Sequence, residues 1–302
     1  MSELLDRYPV DLINSQSARD REALTLLYLS GRLRAPLVIT RRQMPSTFFV
    51  ENWLASRAAA RIVAVSRSVG EALVRRGTPR RKLCVIPNGL VAERIDVPVS
   101  DQDIESWKNR IGWDPRQRTI GIVARPKDQH VVIHALHMVR TPVRLVLAGV
   151  EPQSSLARLA SVVPARHAVV CLAFTPNVRP LYELLEVVLL PSRSEGLSQG
   201  LLEAMALGKP VVASAATGNL DLITNGVNGR LVAPLDPTGW ARAIDELLTD
   251  STLAAAFGAA GCHTARATFS LEHTIERTLR LYRSILARLP AYGAGLLGAA
   301  QW

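Results

Sequence analysis

Aromatic residues and cysteines are both scarce in this chain of 302 residues, and each shortage excludes a class of protein. Phe, Trp and Tyr make up 5% of the sequence, and aromatics are not interleaved with the arginines as they are in nucleic-acid-binding motifs. We therefore expect no nucleic acid partner. The three cysteines, Cys84, Cys171 and Cys262, lie far apart and have no metal-ligand spacing. They are typical of small core residues in a reduced, cytoplasmic protein.

Long apolar runs, a leader segment and a dinucleotide fingerprint are also absent. No apolar stretch reaches the roughly 18 residues needed to span a bilayer. The first residues, MSELLDRYP, lack a basic region followed by an apolar one. Membrane spanning and secretion are therefore both disfavoured. No G-x-G-x-x-G motif opens the second predicted domain, which argues against a nicotinamide or flavin dehydrogenase.

Histidine is infrequent, but three of the six histidines, His130, His134 and His137, have helical spacing. Such a set could suggest zinc, although a helix that faces solvent or core accounts for it better. We expect neither a metal nor another cofactor.

Positive charge is present in excess and is unevenly placed. The formal net charge is +10, and residues 1–97 contain 16 Arg and Lys against 9 Asp and Glu. A basic face of this kind suits anionic lipid headgroups or a phosphorylated acceptor, and a solvated arginine-rich surface is the equal alternative. The sequence thus leaves open a peripheral contact with an anionic membrane at its inner face.

Short apolar runs alternate with helical patterns along the chain, which indicates α/β structure with parallel strands. With 48% hydrophobic residues and this length, two domains are expected, residues 1–113 and 114–302. The second contains six predicted strands, typical of a Rossmann-like sheet. All predicted strands cover residues 9–14, 36–40, 61–65, 83–86, 119–124, 143–148, 167–172, 187–190, 210–213 and 229–232.

Two serines are predicted to begin helices of the first domain. Ser17 and Ser68 are each followed three residues later by an acid, Asp20 and Glu71, which is near the capping-box spacing. A further helix is predicted over Asp101–Ile111, after the proline-containing linker 96–100.

The stretch VVLLPSRSEGLSQGLLEAMALGKPVVAS, residues 187–214, predicts a strand, a turn, a helix and a second strand. The turn leads into a helix N-terminus, where free N–H groups favour a phosphate. Glu195 lies in the turn and Glu203 about one turn into the helix, so both carboxylates are expected to face one cleft. A carboxylate there suits the hydroxyls of a ribose or sugar. Taken alone, a capping loop acid and a solvated helix residue are the alternatives.

The same string resembles the E-x7-E signature of the GT-B glycosyltransferases in the glycogen-synthase-like family 4, over about two dozen ordered positions. The resemblance implies two Rossmann-like domains that transfer a sugar from a nucleotide sugar to a glycan or lipid-linked acceptor. It implies retention of configuration, no metal and no cofactor, because the nucleotide sugar is a substrate. It also implies a surface-polysaccharide or lipopolysaccharide pathway.

The resemblance assigns catalytic roles to Glu195, Arg125 and Lys127, and ribose binding to Glu203. Arg125 and Lys127 resemble the phosphate-binding cations of the family's VGRLxxxKG. Here one residue separates them, where the family has several, so the loop is shortened; surface cations at a strand end are the alternative. The implied donor-binding set is Arg125, Lys127, Glu195, Gly196, Leu197, Ser198 and Glu203.

Residues 11–42 resemble the acceptor-side domain of family members that read DxxNTHSSxD and later TRH. Gln16 replaces the first histidine, and Arg42, after Arg41, replaces the second. Glutamine cannot carry a proton as histidine does. Earlier units of the family, about 70 to 90 residues with a Gly-rich loop, are not found. We therefore expect an incomplete N-terminal domain and a complete C-terminal one.

Two hypotheses follow. The first is an active glycosyltransferase. The second is a catalytically impaired, truncated remnant that only binds nucleotide diphosphate or nucleotide sugar, which Gln16 and the missing units favour. A sugar-nucleotide epimerase ranks lower because the E-x7-E string favours the transferase branch, and a loop aimed at a phosphate fits a glycosidase poorly.

Overall fold

The computed structural model describes residues 7, 8 and 10–288 of the chain. These form two compact units: one contains the described residues up to Gly89 together with those from Leu271 onward, and the other is Leu90–Ser270. No helix in the described part of the chain is long and apolar enough to cross a membrane. The predicted domains, 1–113 and 114–302, have a different boundary from these units, which change at Gly89 and at Ser270. The outer ends of the predicted domains, residues 1–6 and 289–302, lie outside the described residues.

Two helices account for the different division. Helix Asp101–Ile111, predicted in the first domain, belongs to the second unit, where its Trp107 side chain is buried. The guanidinium of Arg144, on the second sheet, donates a hydrogen bond of 2.7 Å to the Ile111 carbonyl. The last helix, Leu271–Leu286, belongs to the first unit. Side-chain packing therefore sets the unit boundaries, and the proline-containing linker does not.

Four parallel strands form the sheet of the first unit, in the order β1-β2-β3-β4. The sheet and its helices confirm the predicted alternation, although β1 is shorter than residues 9–14, of which residue 9 lies outside the described part. The strands are β1 (Ile13–Ser15), β2 (Leu37–Arg41), β3 (Ala59–Ala64) and β4 (Leu83–Val85), with helices Ala18–Leu29, Phe49–Ala58 and Arg67–Arg75 and a 3-10 turn at Arg80–Lys82.

One of the two predicted caps is correct. The Ser17 hydroxyl accepts a hydrogen bond from the Asp20 N–H at 3.1 Å. The other cap is Ser66, which accepts from the Val69 N–H at 3.2 Å, and the predicted Ser68 lies within the first helical turn. Because β3 ends at Ala64, the chain turns into the helix two residues earlier than the acid spacing indicated.

The last helix covers one face of the first sheet. Ile285 packs in an apolar cluster with Val38, Val63 and Ile86. The Asn14 side-chain amide donates a hydrogen bond of 2.6 Å to the Tyr282 hydroxyl. Residues far apart in sequence thus complete this core.

Six parallel strands form the second sheet, in the order β10-β9-β8-β5-β6-β7. The strand order reverses between β5 and β8, and this is the point where open α/β sheets bind ligands at the carboxyl ends of their strands. All six predicted strands occur within one residue of their predicted bounds. They are β5 (Arg118–Val123), β6 (Val143–Ala148), β7 (Ala168–Leu172), β8 (Val187–Leu190), β9 (Val211–Ser214) and β10 (Arg230–Val232).

Helices on both faces of this sheet enclose a large apolar core that includes the fully buried Trp240. Near-continuous apolar strands such as β8 are expected where both faces of a parallel sheet are covered. The helices are Ala92–Ile95, Asp101–Ile111, Gln129–Ala135, Ser155–Ala160, Arg179–Leu184, Gln199–Ala206, Asn219–Leu222, Pro237–Thr249 and Ser251–Thr268.

Two glycines on helix Ser251–Thr268 should respond oppositely to substitution by alanine. A Cβ at Gly258 would lie 2.2 Å from the Gly208 carbonyl oxygen, whereas at Gly261 the nearest atom is an acceptable 3.5 Å away. We expect Gly258→Ala to cost about 1–3 kcal/mol of unfolding free energy. Gly261→Ala should add about 0.5–1 kcal/mol through helix propensity. Urea unfolding measures both, and a similar response of the two variants would contradict this packing.

Candidate functional site

The site lies where the carboxyl ends of β5 and β8 meet the start of helix Gln199–Ala206. A Cβ at Gly200 would lie 2.6 Å from the Val123 carbonyl oxygen, so a glycine is needed for the helix to approach β5 this closely. Gly149, which follows β6, has φ +101°, and a Cβ there would lie 2.7 Å from the Ala124 carbonyl oxygen. The ends of β5 and β6 and the helix start therefore converge.

Glu195 is held in place by the loop that follows β9. Its N–H donates to the Thr217 hydroxyl at 2.8 Å, and its carbonyl accepts from the Gly218 N–H at 3.1 Å. A Cβ at Gly218 would lie 2.1 Å from the Gly196 carbonyl oxygen, so only glycine fits. The Glu195 side chain is buried and forms an ion pair with the Lys127 ammonium.

The two cations of the short loop after β5 lie in different environments. Lys127 pairs with Glu195, whereas Arg125 is exposed and lines a cavity. The buried Gln129 side chain holds this loop, because its amide donates to the Arg125 carbonyl at 2.8 Å and its oxygen accepts from the Lys127 N–H.

A second ion pair joins this loop to the loop after β8. The Asp128 carboxylate accepts from the Arg193 N–H at 3.0 Å and from its guanidinium at 2.9–3.0 Å. Burial alone would raise the pKa of Asp128, but the backbone and side-chain hydrogen bonds from Arg193 outweigh it and lower that pKa. The two loops are thus fixed to each other beside the site.

Glu203 lies in a different environment from Glu195. The Tyr182 hydroxyl donates to the Gly200 carbonyl at 3.1 Å and to the Glu203 Oε2 at 3.4 Å. Burial raises the pKa of the Glu203 carboxyl, and this hydrogen bond partly opposes the rise.

A cavity of about 980 Å³ opens at the carboxyl ends of β5 and β6. Arg125 and Glu203 both line it, together with Tyr182, while Glu195 and Lys127 lie outside its lining. Segments Glu93–Val99 and Phe174–Arg179 supply most of its remaining wall, and Phe174 is 73% exposed. The ring of Phe174 is therefore available to a ligand in this cavity.

Gly196, Leu197 and Ser198 connect Glu195 to the helix. All three are buried, and the Ser198 hydroxyl caps the helix by accepting from the Leu201 N–H at 3.3 Å. Among the described residues, none accepts a hydrogen bond from the backbone N–H of Gly196, Leu197 or Ser198. These N–H groups suit an anion at a helix N-terminus.

The predicted acceptor-side residues belong to the first unit and differ in exposure. Arg41 is buried and donates to the Asn52 side-chain oxygen at 3.0 Å. Burial, with Arg21 nearby, lowers the pKa of Arg41 to about 10. Gln16 and Arg42 are exposed at the ends of β1 and β2. Arg41 therefore acts as a packing group here, and Gln16 and Arg42 are the ones accessible to a ligand.

Sequence reasoning missed four residues that position the site. Tyr182, Gln129, Thr217 and Gly218 contact the predicted residues directly. Only Gly218 carried a signal, as a glycine after a predicted strand. In the described part of the chain, no group of three or more His, Cys, Asp or Glu side chains is arranged to hold a metal.

Two family models match the chain. Residues 117–250 match the family model described as glycosyl transferases group 1, and residues 1–94 match glycosyltransferase family 4. The chain is built from glycosyltransferase domains. Together the two matches cover about three quarters of it.

The curated relatives are longer than this chain. An uncharacterized glycosyltransferase of Methanocaldococcus jannaschii is 31% identical over 66% of this chain and 53% of its own length. A D-inositol 3-phosphate glycosyltransferase of Corynebacterium urealyticum is 28% identical over 81% of this chain and 61% of its own length. The chain thus spans little more than half the length of these relatives.

The fold is GT-B, as the resemblance implied. The crystal structure of Anabaena HepE in complex with UDP-glucose superposes with a TM-score of 0.82, over 94% of this chain and 80% of that one, at 24% identity. The strand order of the second sheet independently fits the nucleotide-binding half of such a fold.

The raised pKa of Glu203 predicts a stability gain on neutralisation. The folded state holds this proton to higher pH than the unfolded chain, so stability is complete below the unfolded pKa and is lost as pH rises through the folded one. Glu203→Gln should therefore raise the melting temperature near pH 8 and give no gain near pH 4. The exposed Glu105→Gln is the control; an equal gain there would contradict the assignment.

Proposed function

We propose that the second unit binds a nucleoside diphosphate sugar and that the protein transfers this sugar to a glycan or lipid-linked acceptor. One observation carries the proposal: Glu203 and Arg125 line the same cavity at the carboxyl ends of β5 and β6, two neighbouring strands of a parallel sheet. A structural neighbour, Anabaena HepE, has been crystallised with UDP-glucose, which agrees with this class of donor.

In this proposal the donor extends along the cavity with its ribose at Glu203. A carboxylate can accept hydrogen bonds from both ribose hydroxyls. The Tyr182 hydroxyl fixes the orientation of this carboxylate, and its hydrogen bond partly opposes the rise in the Glu203 pKa that burial causes. The exposed ring of Phe174 on the same cavity offers a stacking surface for the base.

The diphosphate then meets Arg125 and the N–H groups of Gly196, Leu197 and Ser198. These are preorganised donors, and such donors stabilise the charge that develops on the departing diphosphate. The reaction in the proposal needs no metal, because the guanidinium and the helix N-terminus supply this charge stabilisation.

Glu195 and Lys127 are assigned to the transferred sugar. The buried carboxylate accepts hydrogen bonds from the sugar hydroxyls, and its ion pair with the Lys127 ammonium holds it in position. We assign retention of configuration, with the acceptor attacking from the face that the diphosphate leaves and the leaving phosphate taking the acceptor proton.

The acceptor contacts the first unit in this proposal, at the exposed Gln16 and Arg42. A lipid-linked precursor of a surface polysaccharide or lipopolysaccharide agrees with the basic character of that unit, in which residues 10–89 contain 14 Arg and Lys against 5 Asp and Glu. Such an acceptor would bring the protein to an anionic membrane surface.

The alternative function is binding of the nucleotide diphosphate without transfer. Its support is the ion pair that engages Lys127 with Glu195, which leaves Arg125 as the single cation of this loop on the cavity. Gln16 also supports binding without transfer, because glutamine cannot carry a proton as histidine does.

Nucleotide binding tests the donor assignment. UDP, GDP or ADP at millimolar concentration should raise the melting temperature, because a ligand that binds the native state stabilises it. Glu203→Ala should weaken binding by about 1.5–3 kcal/mol through lost charged hydrogen bonds. Glu105→Ala, an exposed change on the same unit, should have no effect. Absence of binding for all three nucleotides would refute the donor site.

Arg125 should act on the diphosphate and leave nucleoside binding almost unchanged. Arg125→Ala should weaken diphosphate binding by about 1.5–3 kcal/mol. The exposed Arg116→Ala is the matched control. Calorimetry with nucleoside and nucleoside diphosphate measures the difference, and equal losses for the two ligands would rule the role out.

Transfer of labelled sugar to crude lipid-linked acceptors separates the two functions. Turnover that falls in Glu195→Gln supports the transferase. Diphosphate binding without any turnover supports the alternative.

A further inference from the structure

The first unit exposes large apolar side chains beside cations. Phe48, Phe49 and Val50 are 84%, 59% and 64% exposed, and Trp53 on the same helix is 42% exposed. Together with Tyr28, Arg57 and Arg81 they form what we call the aromatic-basic patch. The low overall aromatic content of the sequence, 5%, gives no indication of this local cluster.

The start of helix Phe49–Ala58 does not follow the usual chemistry of helix ends. Phe48 occupies the N-cap position and makes no side-chain cap, although Ser, Thr, Asp or Asn is preferred there. The preceding Thr47 donates its hydroxyl to the Asn52 side chain at 2.8 Å instead. Helix stability therefore does not explain three consecutive exposed apolar residues, Phe48, Phe49 and Val50.

Three elements bring the cations to these aromatics. A cavity of about 320 Å³ is lined by Tyr28 from helix Ala18–Leu29, by Trp53 and Arg57, and by Arg81 from the turn that follows Pro79. The Arg57 guanidinium lies 5.2 Å from the Trp53 ring centre. Arg57 and Arg81 are both exposed at the rim. Phe49, Trp53 and Arg57 are spaced four residues apart, so they lie on one face of the helix that also lines this cavity.

The acid on this helix does not neutralise the patch. The Glu51 carboxylate pairs with the buried Arg21 at 3.2 Å. Lys82 is engaged as well, since its ammonium donates to the Ser56 and Ala59 carbonyls at 2.7 Å and closes the end of the helix. Arg57, Arg81 and the exposed Arg80 therefore give the rim a positive potential.

We propose that the aromatic-basic patch docks onto an anionic phospholipid bilayer. Phe48, Phe49 and Val50 enter the boundary between headgroups and acyl chains, and Arg57 and Arg81 contact headgroup phosphates. Apolar side chains flanked by cations are typical of surfaces that lie on such membranes. A second copy of the chain fits less well, because two positive rims would repel each other. The inference deepens the membrane contact proposed above and does not depend on sugar transfer.

Vesicle flotation tests the docking. The protein should float with vesicles of phosphatidylcholine and phosphatidylglycerol, and less at high salt or with phosphatidylcholine alone. Phe48→Ser with Val50→Ser should reduce the bound fraction about tenfold or more. Arg57→Gln with Arg81→Gln should reduce it about tenfold, and only on anionic vesicles.

Matched controls lie on the second unit. Val162 and Val227 are 62% and 59% exposed, and Arg242 is exposed. Val162→Ser with Val227→Ser, and Arg242→Gln, should bind vesicles as the unchanged protein does. Circular dichroism and thermal unfolding of every variant are measured in parallel, so that a misfolded variant is recognised. UDP binding is measured as well, so that a failure of the donor site is not mistaken for a failure of docking.

Several results would overturn the proposal. The first is that the protein does not float with anionic vesicles. The second is that both patch variants float normally, or that the controls lose binding equally. The third is that the protein does not bind vesicles and the patch variants instead lose self-association, measured by sedimentation velocity, or lose binding to polyuridine. The patch would then be an interface between copies or a nucleic acid surface.

Discussion

Close backbone approach at the end of the second sheet is the constraint on which the site depends. Gly200 lets a helix start press against the Val123 carbonyl, and Gly218 lets one loop cross the Gly196 carbonyl. Any side chain at either position would separate these segments. The directions of Glu195 and Glu203 follow from this packing, because one residue precedes the crossing and the other begins the second turn of the helix. The position of the carboxylates is therefore fixed by glycines that have no chemistry of their own.

The two carboxylates of one motif lie in different surroundings. Glu195 is buried beside an ammonium, and an unpaired carboxylate at that depth would be costly. Burial raises the pKa of Glu203, and the hydrogen bond from the buried Tyr182 phenol and the charge of Arg94 offset that rise only in part. A group held with a raised pKa reduces stability near neutral pH, and active sites commonly carry costs of this kind.

Strands and their alternation with helices could be predicted because apolar runs and their periods are local properties. The bounds of β6 and β8 matched without change, since both are buried on each face. The division of the chain and the fates of Arg125 and Lys127 could not be predicted, because they depend on contacts between distant segments and on side-chain direction. The sequence does not distinguish Tyr182 from other buried aromatic residues, because its hydrogen bond to Glu203 joins two distant segments. The exposure of Phe48 was also hidden, since pattern alone does not say which apolar residues face water.

Because the last helix packs on the first sheet, the two units are not expected to fold in chain order during synthesis. The second unit is one uninterrupted segment, so it can fold as soon as its last strand and helices leave the ribosome. The first sheet cannot, because Ile285 must cover Val38 and Val63. Until about two hundred further residues have been made, that apolar face has no cover within the described chain. Chaperone dependence should therefore concentrate on the segment that forms the first sheet.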